Sequence, residues 1–184
     1  RSRGLGDVYK RQVIETALYN FDGILVYEKW MDDHRDEQQI DGTLPSIIPT
    51  AGWGYTWGNG PDWTSSMILV PWNIYKFYGD TRIFEENYEN MRRYVYKIKS
   101  VSKDNLTNWG LGDWVPVKSK SNLEFTSSIF YFTDVLILSK IANILGHNED
   151  ASELKKLAKD IKSSINNKFF DKETNTYATG TQKE

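Results

Sequence analysis

The chain has 184 residues, a formal net charge of −2 and no cysteine. That length allows one domain with a proper core, and the missing cysteines exclude a disulfide framework, a thiolate metal site and a cysteine nucleophile. Two histidines, His34 and His147, argue against a His-based zinc site, and no basic stripe interleaved with aromatics offers itself to nucleic acid.

Residues 1–12 are set aside from the fold reading. The run Ser2-Arg3-Gly4-Leu5-Gly6-Asp7-Val8-Tyr9-Lys10-Arg11-Gln12 matches the translation of a sequencing-library adaptor, so native sequence is expected from Val13 onward. On that reading the natural chain continues upstream of Val13 and downstream of Glu184. A missing leader then says nothing about export, and localisation stays open.

From Val13 to about Gln39, Ala17, Leu18, Phe21, Ile24, Leu25, Trp30 and Met31 recur at three- and four-residue spacing, which predicts a helix closed by Gly42 and Pro45. Asp32, Asp33, His34, Asp36 and Glu37 follow one another on it; consecutive helical residues face several directions, so a solvated polar face is expected there rather than a metal cluster. Thr43 to Asn59 is a long polar-aromatic loop, longer than most connections, which itself hints at function. A second helix is predicted from Trp63 to Tyr78, kinked or broken at Pro71 and ended by Gly79. Within it lies the longest apolar run, Met67 to Trp72, far too short to span a membrane. Asp80 caps a third helix from Arg82 to about Ser100, with Phe84, Tyr88, Met91, Val95 and Ile98 on its buried face.

Lys103 to Asn122 is again irregular. Phe125 to Leu145 reads as a fourth helix, apolar nearly all round and so well buried, with Gly146 as its stop. Glu124 at its start suits the helix dipole and needs no catalytic explanation. Asn148 to Phe169 is a fifth, amphipathic helix whose Leu154, Leu157, Ala158, Ile161, Ile165 and Phe169 share one face. Its lysines form a solvated face, and the remainder is turn-rich. Helices of about twenty residues joined alternately by short turns and long loops, with no fixed repeat period, predict an all-α array of helical hairpins, the long loops gathered on one face. An α/α toroid collects loops in that way.

The long loops carry the chemistry. The first holds Trp53-Gly54-Tyr55-Thr56-Trp57-Gly58-Asn59-Gly60-Pro61-Asp62-Trp63, the second Gly112-Asp113-Trp114. Glycine and proline hold such segments out of regular structure, and tryptophan is costly to expose for no return. Flat indoles beside a carboxylate suit a sugar, whose apolar face stacks while its hydroxyls meet the acid. Structural roles compete at each position. The tryptophans fit a core or rim, Asp62 fits the cap of the helix that starts at Trp63, and Asp41 before Gly42 fits a turn.

In order, Tyr27-x-x-Trp30, Asp36-x-Gln38-x-x-Asp41-Gly42-x-x-Pro45-x-x-x-Pro49, Trp53, Gly60-Pro61-Asp62-Trp63, Pro71-Trp72-x-x-Tyr75, Tyr78-Gly79-Asp80 and Gly112-Asp113-Trp114 resemble the catalytic domain of bacterial α-L-rhamnosidases, glycoside hydrolase family 78. Ala142-x-x-Leu145-Gly146, Asp150-Ala151 and Tyr177-x-x-Gly180-Thr181-Gln182 fit the same pattern. The resemblance implies a partial (α/α)6 toroid, a six-hairpin glycosidase incomplete at both ends, acting on a carbohydrate substrate without a cofactor. It implies inversion: one glutamic acid protonates the glycosidic oxygen while a second glutamate activates water on the opposite face. The family's acid sits in an Arg-Glu-x-x-Gly-Trp-x-Gly-Asp type motif just before the helix at Val13, and its base lies beyond Glu184, so no glutamate here is assigned to either task. What remains is the sugar-holding part. By the resemblance Trp57 and Trp63 wall the rhamnose pocket, Asp62 binds hydroxyls, and Trp114 packs the sugar's methyl side beside Asp113, which binds sugar or orients that loop. Trp53 and Asp41 are secondary candidates. Two readings compete with this one. Another α/α-toroid glycosidase, trehalase- or glucoamylase-like, needs a different upstream acid motif, and a non-catalytic helical binding module needs no carboxylate pair. The sequence leaves the oligomeric state open.

Overall fold

Seven helical segments follow one another in the computed structural model, which describes residues 13–116 and 120–177. They are α1 (residues 13–20), α2 (Ile24–Glu37), α3 (Pro61–Thr64), α4 (Ser66–Tyr78), α5 (Arg82–Val101), α6 (Leu123–Ile144) and α7 (Asn148–Phe169). A two-residue hairpin, β1 (Phe170–Asp171) on β2 (Thr176–Tyr177), closes the described chain. The all-α expectation therefore holds. Residues 1–12 and the Gly180-Thr181-Gln182 stretch lie outside the described residues.

Helices α5, α6 and α7 form where periodicity placed them. In α5 the predicted stripe of Phe84, Tyr88, Met91, Val95 and Ile98 is buried, and in α7 so is the stripe from Leu154 to Phe169. Asn122 caps α6 by accepting the Phe125 N–H at 3.0 Å. Glu124 in its first turn pairs with Lys168. Asp80 sits one residue before the N-cap of α5, and its carboxylate accepts the Arg82 N–H at 2.9 Å. Helix α6 is long and apolar enough to cross a bilayer, although no short apolar run announced it. It packs on α3, α4, α5 and α7, as a core helix does.

Two expectations are corrected. The first helix is not continuous: the chain breaks at Phe21-Asp22-Gly23, a turn-prone Asp-Gly pair that Tyr78 holds. Its hydroxyl donates to Asp22 Oδ1 and accepts the Gly23 N–H, keeping that segment out of helical register. The break resets the phase, so α2 buries Tyr27, Trp30, Met31 and His34, while Phe21 and Leu25 are left 74% and 75% exposed. Pro71 does not break its helix either. Helix α4 runs through it, and the interruption falls upstream at Ser65, between α3 and α4. Proline removes its own N–H bond to the preceding turn and crowds the carbonyl four residues back, and tertiary burial of Met67, Ile68, Val70 and Ile74 carries the helix past that cost.

The connections alternate in length. Residues 38–60 and 102–122 are long, while α4 meets α5 and α6 meets α7 through three-residue turns. In an antiparallel array alternate connections fall at the same end, so both long loops emerge together above one core.

Candidate functional site

The two long loops meet through backbone. Gly60 has φ +144°, a conformation L side chains rarely adopt, and a Cβ built on it would lie 2.5 Å from both Gly110 Cα and the Trp109 carbonyl oxygen. A Cβ on Gly110 would lie 2.4 Å from Asp62 Oδ1 and 2.5 Å from Ser127 Oγ. Only glycine fits either side of this crossing.

Asp62 locks it. Its carboxylate is buried and accepts the N–H of Leu111 at 3.1 Å and of Gly112 at 2.5 Å. Asp62 is the second residue of α3, whose N-cap is Gly60, so it stands inside the helix rather than at the cap weighed for it, and its carboxylate bridges to the second loop. Asp113 does the same within that loop, accepting the Ser121 N–H at 2.6 Å. Further ties come from Trp109 Nε1 to Asn59 Oδ1, from Ser46 Oγ to the Trp57 carbonyl, and from the Tyr55 hydroxyl to Glu37.

Above this crossing the tryptophans gather. Trp57 lies 6.0 Å from both Trp63 and Trp114, nearly edge-on to each, and Trp63 lies 5.6 Å from Trp114. Trp53 leans on Trp57 at 5.3 Å. These are ordinary aromatic-pair distances, yet the cluster is not core: Trp53 and Trp114 are 56% and 53% exposed, and Trp57 and Trp63 are half-buried. An open patch of four indoles can stack the apolar face of a ligand.

Asp41 joins none of this in its bonding. It accepts the Thr43 N–H at 3.0 Å and pairs with Lys97 at 2.7 Å, as a turn residue does. Lys97, with the Thr43 N–H, holds its carboxyl at about 2, against 3.8 ordinarily. A lowered folded pKa contributes stability that is present above the unfolded value and lost as pH falls toward 2. With 53% of the side chain exposed the gain is small. Asp41→Asn is therefore expected to cost less than about 1 kcal/mol near neutrality, and nothing at the acid end, as urea unfolding at both pH values will report. An equal cost at both would remove the ion pair as its origin.

Among the acids of α2, Asp32 pairs with Arg35, Asp33 with Lys29, and Glu37 with Tyr55. His34 is buried, its Nδ1 2.7 Å from the Trp30 carbonyl and its Nε2 2.8 Å from Ser66 Oγ. Two open clefts of about 510 and 560 Å³ lie along α6 and α7, and none of the four tryptophans lines either one.

The sequence reading passed over the glycine crossing and the residues beneath it. Two signals were available: three hydroxyl residues in a row, Thr64-Ser65-Ser66, opening an apolar helix, and Asp134 alone amid the apolar run of α6.

Known proteins with this arrangement agree with each other. A family model described as the bacterial alpha-L-rhamnosidase 6 hairpin glycosidase domain matches residues 5–184, a span that takes in residues 5–12 of the adaptor-like run. The solved alpha-L-rhamnosidase from Dictyoglumus thermophilum superposes with a TM-score of 0.83 at 35% identity, over 91% of this chain and 19% of that one. A Streptomyces avermitilis alpha-L-rhamnosidase complexed with L-rhamnose shares the fold, with a TM-score of 0.71 at 23% identity over 78% of this chain and 14% of that one. An alpha-L-rhamnosidase from Alteromonas sp. (strain LOR) is 25% identical over 88% of this chain and 19% of its own length. The chain thus spans between 13% and 20% of the length of the relatives it matches. A helical-hairpin array with this ordered set of loop residues belongs to the bacterial α-L-rhamnosidase six-hairpin glycosidase family.

Proposed function

We propose that this chain supplies the sugar-holding wall of a glycoside hydrolase that cleaves terminal α-L-rhamnosides with inversion. The observation that carries the reading is the open indole cluster assembled from two loops. Trp57 and Trp63 stack on the apolar face of the sugar, Trp114 packs its methyl side, and Trp53 extends the wall outward. Asp62 acts on the sugar by accepting a hydroxyl and through its hold on the Leu111–Gly112 turn. Asp113 orients the Trp114 loop through Ser121 and contributes an acceptor at the rim.

The chemistry itself needs an acid and a base opposed across the glycosidic bond. The paired glutamates serve the fold: Glu15 pairs with Lys76, Glu28 with Arg82, Glu37 holds Tyr55 and Thr50, Glu124 holds Lys168, and Glu153 holds Tyr96. By the family resemblance, no glutamate from Val13 to Glu184 matches either member of that pair. Losing either partner costs orders of magnitude in rate. The chain alone is therefore expected to bind L-rhamnose weakly, through its indoles, and to turn over no aryl α-L-rhamnoside. Indole fluorescence titration with L-rhamnose reads the first, and release of the aryl group reads the second, with a full-length relative as the positive control. Substantial turnover by the chain alone would return Asp62, Asp113 and Asp41 to consideration as acid and base. A titration with no fluorescence response would remove the sugar wall.

A further inference from the structure

Of the cluster, Trp63 stands on α3 beside Asp62, and α3 is a single turn of helix, too short to hold its own orientation. What fixes it lies below. Thr64, Ser65 and Ser66 are consecutive, and all three are buried, at 1%, 0% and 4% exposed. Consecutive helical residues point in directions about 100° apart, so three in a row reach three different neighbours. Thr64 Oγ1 meets the Tyr94 hydroxyl of α5 at 3.0 Å. Ser65 Oγ donates to Asp134 Oδ2 of α6 at 2.6 Å. Ser66 Oγ lies 2.8 Å from Nε2 of His34 on α2. The Trp30 carbonyl, 2.7 Å from His34 Nδ1, can only accept, so Nδ1 carries a proton and Nε2 is left to pair with the Ser66 hydroxyl. Thr64 Oγ1 donates to the Gly60 carbonyl at 2.7 Å and so accepts from Tyr94, while the Pro61 carbonyl, 2.5 Å from Ser65 Oγ, competes with Asp134 for its one proton.

We propose that Thr64, Ser65 and Ser66 are positioning residues, a three-legged anchor that sets the orientation of α3 from within the core and so holds Trp63 and Asp62 in place at the indole cluster. Hydrophobic contact alone is non-directional and would leave a one-turn helix free to roll. Three hydrogen bonds to three separate helices fix both its rotation and its height. Polar groups buried to this degree are costly unless paired, so the triplet and its partners hold one arrangement or break together. The sugar-binding consequence rests on the function proposed above, but the anchoring does not.

The test uses the 184-residue chain, with the variants Thr64→Val, Ser65→Ala and Ser66→Ala, the conservative Ser65→Thr, and Ser139→Ala as a control. Ser139 is a buried serine whose hydroxyl bonds only locally, to the Leu136 carbonyl at 2.7 Å. Closely spaced indoles give an exciton couplet in circular dichroism that depends on their mutual orientation and needs no sugar. Ser65→Ala is expected to cut the couplet at least twofold while the helical signal stays, and to weaken L-rhamnose binding about tenfold. Ser65→Thr is expected to restore both, and Ser139→Ala to change neither. An unchanged couplet in all three anchor variants would overturn the proposal, as would a couplet lost only in step with the helical signal. A couplet lost as expected, in a chain whose parent shows no response to L-rhamnose, would support the anchor and sink the sugar reading.

Discussion

Gly60→Ala is expected to destabilise the chain by about 4 kcal/mol, the sum of a strained backbone and an overpacked contact. The added Cβ meets Gly110 Cα and the Trp109 carbonyl at 2.5 Å and Gly110 N at 2.7 Å. All three are backbone atoms, so no side chain can rotate out of the way. The loops must part, and parting them stretches the Asp62 bonds to Leu111 and Gly112. Urea unfolding should show a lower midpoint with an unchanged slope, and the indole couplet should weaken in the folded state. A change within about 0.5 kcal/mol, the range of an ordinary surface substitution, would mean that the two loops do not touch.

Asp62→Ala is expected to cost about 2 kcal/mol, since it strips two backbone donors of a charged acceptor. Leu111 and Gly112 are only half-buried, so water recovers part of the loss. The larger effect falls on the site, because Trp114 is carried by the turn that Asp62 holds. Freed of it, Trp114 should leave its position 5.6 Å from Trp63, and L-rhamnose affinity should fall further than stability does. Asp62→Asn keeps one acceptor oxygen and should lie between. If Asp62→Ala lowered affinity with the couplet intact, direct acceptance of a sugar hydroxyl would be the dominant role of this carboxylate.

Much of this was legible in the residues, and what was not has a common cause. The stripes of α5 and α7 show in the sequence because helix burial follows a local period. The ordered aromatic loops point to the family for a similar reason, since each element sits within a few residues. The break at Asp22-Gly23 carries only the weak local signal of an Asp-Gly pair, outweighed by the apolar period on either side, and the Tyr78 hydroxyl that holds it lies more than fifty positions away. Asp62 is legible as a carboxylate beside tryptophans, but its two N–H partners come from a loop about fifty residues on. The hydroxyl triplet has an unusual local composition, yet its meaning depends on which helices surround it. Pro71 shows the converse: a strong local signal for a break, overridden by burial on both sides.

The glycine crossing also bears on how such a site can diversify. Where two backbones touch with no room for a methyl group, neither loop can drift alone: a side chain at Gly60 could be answered only by a backbone shift around Gly110, paired with further changes in a segment coded far downstream. Such paired changes are rare, so descent should keep the crossing fixed and push variation to the rim. Trp53, Thr56, Val115 and Pro116 are exposed and outside the crossing. Lineages that acquire new leaving groups are expected to differ at those positions first, while the pair of glycines is inherited as one character.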